Sequence, residues 1–410
     1  MRVLMVNTAY AQGGAALVAR TLHKAVNASP GHESLLAYGR GPNNQERKTK
    51  RFAFQPEVYL HAFLTRLTGI QGYGTWLSTR RLLRLIRDWK PNVLHFHNIH
   101  GYSLDLTIAK VVGDLGLPVV WTLHDGWPLT GRCAYLFECS RWKTGCGRCP
   151  DLHRYPKTYF DSSALMWRKK RELLGRVWKP VIVAPSRWLA GLVKETCEGQ
   201  CRVEVIPNGV DTQLFRPRDR SQVRAKLGLP QDKRILLFVA ADLGDEHKGM
   251  SYFFESLEFV KAESWMVVTV GKTVEIPRAL GDRVYINQLG YLSQPESMAE
   301  VYAAADVFCI SSLDDNFPTT VLEAMSCATP VVGFSVGGIP EQVVEGCGQL
   351  VPPRDAIALG RAITALLGND SARQLMGDSC RERAVQEYSL ERFVQRYLAL
   401  YHEVTRGGGQ

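Results

Sequence analysis

No stretch of the 410 residues runs apolar for the roughly 18 positions that a membrane-crossing helix needs. The opening MRVLMVNTAY lacks the long apolar core and small-residue cleavage site of a secretory leader, so it reads as a first strand and the chain as cytosolic. No complete G-x-G-x-x-G follows that strand, which argues against a nicotinamide dehydrogenase. Zinc-finger spacing ending in paired histidines and RNA-binding aromatic signatures are absent too, so nucleic acid is not an expected partner. There is no fixed-period repeat, and the one low-complexity segment is the glycine tail at 407–409, expected to be flexible.

The first half is also short of acid. Residues 1–205 carry 14 Asp and Glu against 30 Lys and Arg, a net +16, while the remainder nets −6. With nucleic acid set aside, that basic half points to an anionic membrane surface or an anionic acceptor. At 45% hydrophobic and 22% charged residues the composition is that of a soluble globular protein, too long for one core, so two domains are expected.

Ten cysteines in a cytosolic chain read as thiols or metal ligands rather than a disulfide framework. Cys133, Cys139, Cys146 and Cys149 follow C-x5-C-x6-C-x2-C, for which structural zinc is the first reading and free thiols or disulfides the others. The scattered remainder, Cys197 and Cys201 included, reads mostly as small buried hydrophobes.

Apolar runs of strand length recur at 2–6, 93–97, 119–123 and 181–184, with helix-sized gaps between them. The pattern pauses at IPNGVDTQLFRP, rich in turn formers, and resumes at 235–240, 265–270, 284–289, 306–311 and 330–334. Strands alternating with helices imply parallel, doubly wound sheets, hence two Rossmann-like α/β domains in tandem, 1–207 and 208–385. A helix within 386–410, with Phe393, Tyr397, Leu400 and Tyr401 on one apolar face, is expected to cross back to the first domain ahead of the tail.

The segment DVFCISSLDDNFPTTVLEAMSCATPVVGFSVGGIPE, residues 306–341, puts two ligand-binding devices on consecutive strand-to-helix turns. Asp315 and Glu323, eight positions apart, can both face the crevice beyond a strand's carboxyl end, where their acceptor oxygens suit sugar and ribose hydroxyls. Gly337 and Gly338 then permit close backbone approach before a helix that Pro340 starts, where bare amides favour phosphate.

In the first half, His124 and Asp125 end the strand VVWTL, where an α/β sheet displays its chemistry. His95, His97, Asn98 and His100 crowd the end of the neighbouring strand; alternate side chains there point to opposite faces, which disfavours a metal. Asn98 and His100 read as acceptor contacts or as members of a buried polar network. Gly13 and Gly14 lie between the first strand and a helix, where the loop can approach phosphate or acceptor.

With DNFPTTVLEAMSCATPVVGFSVGGIPE, IPNGVDTQLFRP and FVAADLGDEHKG in order, the chain resembles the retaining glycosyltransferases of family 4. LHFHNIHGY, VVWTLHDGWPLTGRC, CSRWKTGCGRCP and APSRWLA are similar to a bacterial branch that includes colanic acid and capsule transferases. The resemblance implies a GT-B fold with the nucleotide-sugar on the C-terminal domain, the acceptor on the N-terminal domain and reaction in the cleft between them. It gives the ribose to Glu323, the donor sugar to Asp315 and the diphosphate to Lys248, with backbone contacts from Gly337, Gly338 and Ile339 and a donor contact from Glu341. It sets His124 against donor sugar and phosphate; Asn98, His100 and Asp125, on the domain that would hold the acceptor, are read as its contacts.

No catalytic cofactor is implied beyond the donor, because the leaving phosphate itself takes the proton of the incoming hydroxyl. The implied acceptor is a lipid-linked oligosaccharide at the inner face of the cell membrane. Where the family carries Arg six residues before the phosphate-binding Lys, this chain has Asp242, with His247 or Arg132 as the compensating bases. Two other readings remain open on the residues: a GT-B sugar-nucleotide epimerase, and a non-catalytic glycan- or nucleotide-binding protein.

Overall fold

The computed structural model describes residues 1–11, 13–42, 46–174, 178–197, 200–281 and 283–407. The end of the expected flexible tail, 408–410, lies outside the described residues. The chain divides into two compact units, residues 1–207 with 394–410, and residues 208–393.

The first unit is built on seven parallel strands in the order β3-β2-β1-β4-β5-β6-β7. These are β1 Arg2–Ala9, β2 Glu33–Arg40, β3 Thr49–Arg51, β4 Val93–Phe96, β5 Val119–Thr122, β6 Val181–Ala184 and β7 Val203–Val205. Every residue of β4 is buried, as a central strand covered on both faces requires. Helix α1, Gly14–Ala28, turns Val18, Ala19, Leu22 and Val26 inward, the spacing that packs one helical stripe on a sheet.

The second unit has six parallel strands in the order β10-β9-β8-β11-β12-β13. They are β8 Arg234–Asp242, β9 Trp265–Lys272, β10 Ile286–Gln288, β11 Val307–Ile310, β12 Val331–Phe334 and β13 Gly348–Val351. Alternation along the strands sends Leu237, Phe308 and Val331 into one apolar cluster and Leu236, Val307 and Val332 into another. A fully buried Phe or Leu in either cluster contributes about 2–3 kcal/mol. Among the described residues no helix is long and apolar enough to cross a membrane.

Four strands carry no clean apolar run in the sequence: β2, β3, β7 and β13. In β2 the string ESLLAYGR is buried over its six middle residues although Ser and Gly break the hydrophobic pattern. The last helix, Leu390–Gly407, buries Phe393, Tyr397, Leu400 and Tyr401. Within the first unit the Tyr397 hydroxyl meets Thr122 Oγ1 at 2.8 Å and that of Tyr401 meets His95 Nδ1 at 2.6 Å.

Cysteine usage departs from the sequence reading at one pair. Cys197 and Cys201 form a disulfide. Helix Arg187–Thr196 stops just before Cys197, and the Cα atoms of the two cysteines lie 5.7 Å apart, inside bonding reach. Cys309, Cys327, Cys347 and Cys380 are buried free thiols.

Candidate functional site

In the second unit the strand order reverses between β8 and β11, the switch point where neighbouring carboxyl ends open a crevice. After β8 the chain passes through the short turn Glu246–Lys248 and Gly249 into helix Met250–Leu257. Gly249 has φ 65°, and a Cβ there would lie 2.0 Å from the Ser311 carbonyl oxygen, so only glycine lets the turn press onto the end of β11. The Ser311 hydroxyl donates to the carbonyls of Lys248 at 3.0 Å and Gly249 at 2.9 Å, and the Leu313 amide donates to that of His247 at 2.7 Å. The lysine backbone is thereby fixed to the neighbouring strand.

Lys248 Nζ donates to Asp315 Oδ2 at 2.6 Å, and the Ser312 hydroxyl reaches the same oxygen at 3.2 Å. Gly337, at φ 55°, would place a Cβ 1.9 Å from the Asp315 carbonyl oxygen, and the Gly338 amide donates to that oxygen at 3.2 Å. Asp315 therefore holds the lysine with its side chain and the glycine turn with its backbone. Lys248, Asp315, Gly337 and Gly338 share one place.

The other expected donor residues sit differently. The Ile339 amide is engaged with the Val336 carbonyl at 3.1 Å, and the helix Ile339–Gln342 has only four residues. Of the three amides expected to meet phosphate, Gly337's alone has no partner among the described residues. The Glu341 carbonyl accepts from Arg383 Nη2 and from the Tyr388 hydroxyl, both at 3.0 Å, which anchors that short helix. Glu323, on helix Thr319–Ser326, is buried beside Tyr302 and Thr319 rather than on Lys248 or Asp315. Burial pushes its carboxyl up to about 7, against the opposing pull of the two hydroxyls.

Asp242 accepts from the Gly244 amide at 2.9 Å and has Lys272 Nζ 3.9 Å away. The two bases read as compensating for it have other contacts in the structure. His247 contacts Asp245 at 2.6 Å, and Arg132 is buried in the first unit, donating to the carbonyls of Asp151, Leu152, Arg154 and Pro156. Lys272 was missed because its signal is register, not motif: it stands opposite Asp242 where β9 pairs with β8.

In the first unit the order reverses between β1 and β4. Past those strands, Asp125 gathers the expected acceptor residues. Its Oδ2 accepts from His100 Nε2 at 2.9 Å and Asn98 Nδ2 at 3.5 Å, and its Oδ1 from the Trp127 amide at 3.0 Å. Burial pushes Asp125 up, but His100 and the Trp127 amide outweigh it and hold the carboxyl below the usual range. Asn7, a contact the sequence reading did not single out, accepts from the Asn98 amide at 3.0 Å.

His97 Nδ1 lies 3.0 Å from His124 Nε2, the rings stacked at 5.3 Å, and His95 sits deeper between Thr122 and Tyr401. Burial, reinforced by neighbouring histidines, lowers His95 to about 3, His124 to about 4 and His97 well below the ordinary value. All three imidazoles are neutral at neutral pH. Gly13, at φ 86°, precedes α1, and a side chain at Gly13 or Gly14 would meet nothing within 4 Å, so that helix start is open.

Cys133, Cys139, Cys146 and Cys149 line one pocket of ≈ 360 Å³. Among the described residues no three His, Cys, Asp or Glu side chains are grouped to hold a metal ion. The Cys133 and Cys149 thiols hydrogen-bond each other, Cys146 accepts from the Gly131 amide at 3.2 Å, and Cys139 is exposed. The Cys133 contact lowers Cys149 to about 6, with burial opposing and the Asp151 amide assisting.

Two parallel sheets, each with polar residues gathered at its switch point, define a two-unit α/β enzyme of the GT-B type. Residues 12–214 match the family described as Glycosyltransferase Family 4, and residues 233–369 match Glycosyl transferases group 1. The chain is 27% identical over 427 residues to an Escherichia coli K12 protein named as a colanic acid biosynthesis glycosyl transferase, WcaC, covering 98% of this chain and 100% of that one. It is 30% identical over 325 residues to the MMP alpha-(1->4)-mannosyltransferase of Mycolicibacterium hassiacum, covering 76% and 70%.

Among solved structures, sucrose-phosphate synthase from Thermosynechococcus elongatus superposes with TM-score 0.76 at 20% identity over 99% of both chains. Anabaena HepE in complex with UDP-glucose superposes with TM-score 0.71 at 17% identity, over 98% of this chain and 100% of that one. The chain belongs to glycosyltransferase family 4 and is a glycosyltransferase.

Proposed function

We propose that this glycosyltransferase moves a hexose, with retention, from a nucleoside diphosphate sugar to a hydroxyl of a lipid-linked oligosaccharide in bacterial surface polysaccharide synthesis. The observation that carries the reading is the Lys248–Asp315 contact at the β8/β11 switch point, beside the Gly337–Gly338 turn. Lys248 stabilises charge on the leaving diphosphate once the ligand replaces Asp315 as its partner, and Asp315 then accepts from the donor sugar. Gly337 offers its amide to the phosphate, and Glu323 serves the ribose.

In the first unit the Asn98–Asp125–His100 cluster receives the acceptor, and neutral His124 lies against donor sugar and phosphate. The HepE complex with UDP-glucose and the mannosyltransferase relative support a hexose on a nucleotide. WcaC supports the polysaccharide setting. The net +16 of residues 1–205 supports a cytoplasmic enzyme held peripherally at the inner face of the membrane, where its acceptor resides.

Incubation with labelled UDP-, GDP- and ADP-sugars and a membrane lipid extract tests the reading. Label is expected in the lipid fraction and is lost in Lys248→Ala. Absence of transfer from every donor would overturn it.

A further inference from the structure

Two helices of the first unit carry an apolar load on their outer faces. On α2, Gln55–Thr68, the side chains of Tyr59, Leu60, Phe63 and Leu64 are between 44 and 73% exposed, while Val58, His61 and Thr65 face inward. The i, i+1, i+4, i+5 spacing gathers the four on one stripe. Trp76 and Leu77, also exposed, open α3, Trp76–Trp89, and the same stripe continues through exposed Arg80, Arg81 and Arg84.

The two stripes are joined at their starts. The Glu57 carboxylate accepts from the amides of Leu77 and Ser78 at 2.9 and 2.8 Å, a carboxylate on a helix N-terminus, and its charge is engaged inside the fold. At the far end of α2 the Tyr159 amide donates to the Arg66 carbonyl at 2.8 Å, and the Arg66 guanidinium lies over the Tyr159 ring at 5.7 Å. Tyr159 and its neighbour Phe160 are 60 and 68% exposed. Of the nineteen large hydrophobic side chains exposed among the described residues, eight belong to α2, the start of α3 and this adjoining loop. A concentration of that kind marks an interaction surface rather than chance exposure.

We propose that this face docks on a lipid bilayer rich in anionic headgroups. The aromatic and leucine side chains enter the boundary between headgroups and acyl chains, and Arg66, Arg80, Arg81 and Arg84 meet lipid phosphates, the arrangement of a helix lying in the membrane plane. Charge selects this occupant. A second copy of the chain, seated face to face, would set these arginines against their own kind, whereas an anionic bilayer satisfies the apolar stripe and the cations together. The inference rests on the reading that the acceptor is lipid-linked, and gives that enzyme its contact with the acceptor's membrane.

Flotation of the full chain with phosphatidylcholine vesicles, with and without about one-third phosphatidylglycerol, tests it. The protein is expected to float with the anionic vesicles; Leu60→Ser/Phe63→Ser reduces the bound fraction about tenfold, and Arg80→Gln/Arg84→Gln reduces it most at low salt. Melting shifts with nucleotide diphosphates remain unchanged in both variants. Flotation of the apolar variant equal to the parent overturns the docking face, as does a parent that floats with neither vesicle. A lipid-free dimer that the apolar variant abolishes overturns it in favour of self-association. Sugar transfer to a detergent-dispersed lipid extract without flotation sinks the docking face alone, and flotation without transfer sinks the lipid-linked acceptor alone.

Discussion

Lys248 Nζ and Asp315 Oδ2 stand 2.6 Å apart while their side chains remain 26 and 15% exposed, so the one cation of the glycine-flanked turn meets its acid in a place that solvent reaches. An ion pair so placed can exchange partners when a ligand arrives. Lys248→Ala is expected to lower kcat/KM by about 100-fold or more, because the charge that develops on diphosphate loses its stabiliser. Asp315→Asn frees the lysine and is expected to bind nucleotide diphosphate at least as tightly while turning over about tenfold more slowly. Calorimetry with UDP, GDP and ADP beside steady-state rates separates the two effects; equal losses of binding in both variants would contradict the exchange.

Gly337→Ala tests the other side of Asp315. The new Cβ would fall 1.9 Å from the Asp315 carbonyl oxygen at a backbone angle, φ 55°, that suits glycine. A loss of about 2 kcal/mol or more in unfolding free energy is expected, with weaker nucleotide binding. Thermal melts with and without UDP read both.

Glu323 predicts a pH dependence. Its carboxyl is raised to about 7 in the folded chain, above its unfolded value, so the folded state holds the extra proton. The contribution to stability is full below the unfolded value and is lost as pH rises through about 7. Its size is about 3 kcal/mol at most. Glu323→Gln should flatten the decline of the melting temperature between pH 5 and 8, in about that window. An unchanged profile would show that Glu323 is ionised at neutral pH.

The buried histidines act with the opposite sign. His95 and His124 are lowered to about 3 and about 4, so the folded chain keeps them neutral where the unfolded chain protonates them. Their contribution is present above the ordinary histidine value near 6.5 and is lost as pH falls toward those lower values. His124→Asn should reduce the acid sensitivity of melting below about pH 6.5.

Arg132 is expected to matter for folding, not for phosphate. Its buried guanidinium holds four carbonyls of the segment 151–156, and Arg132→Lys, with fewer donors in a different shape, should cost about 3 kcal/mol. Nucleotide affinity of the variant that still folds should equal the parent's.

How far the chain could be read from residues alone differs by level. Long apolar strands such as ILLFVA announce themselves because central parallel strands are buried on both faces, and these fixed the fold class. The edge strands β3, β7, β10 and β13 have three or four residues each and little burial, and the sequence carries a run for β10 alone. At the site, Asp315, Lys248 and the glycine pair were legible as types in a pattern, as was the Asn98–His100–Asp125 group. The engaged amides of Gly338 and Ile339, the inward turn of Glu323 and the partnership of Lys272 with Asp242 are settled by packing and register, which no single motif encodes. The four cysteines, grouped by spacing in the sequence, line one pocket in the fold, where Cys133 and Cys149 hydrogen-bond each other.

The closing helix has a consequence for biosynthesis. Tyr397 and Tyr401, wholly buried, fill the interior of the first unit and bond Thr122 and His95, yet nearly 200 residues of the other unit separate them from that unit's last strand. On the ribosome those inner polar groups wait unmatched until the helix that carries the two tyrosines has emerged. Synthesis of the helix Leu390–Gly407, rather than emergence of the seventh strand, is the moment at which the amino-terminal unit can close.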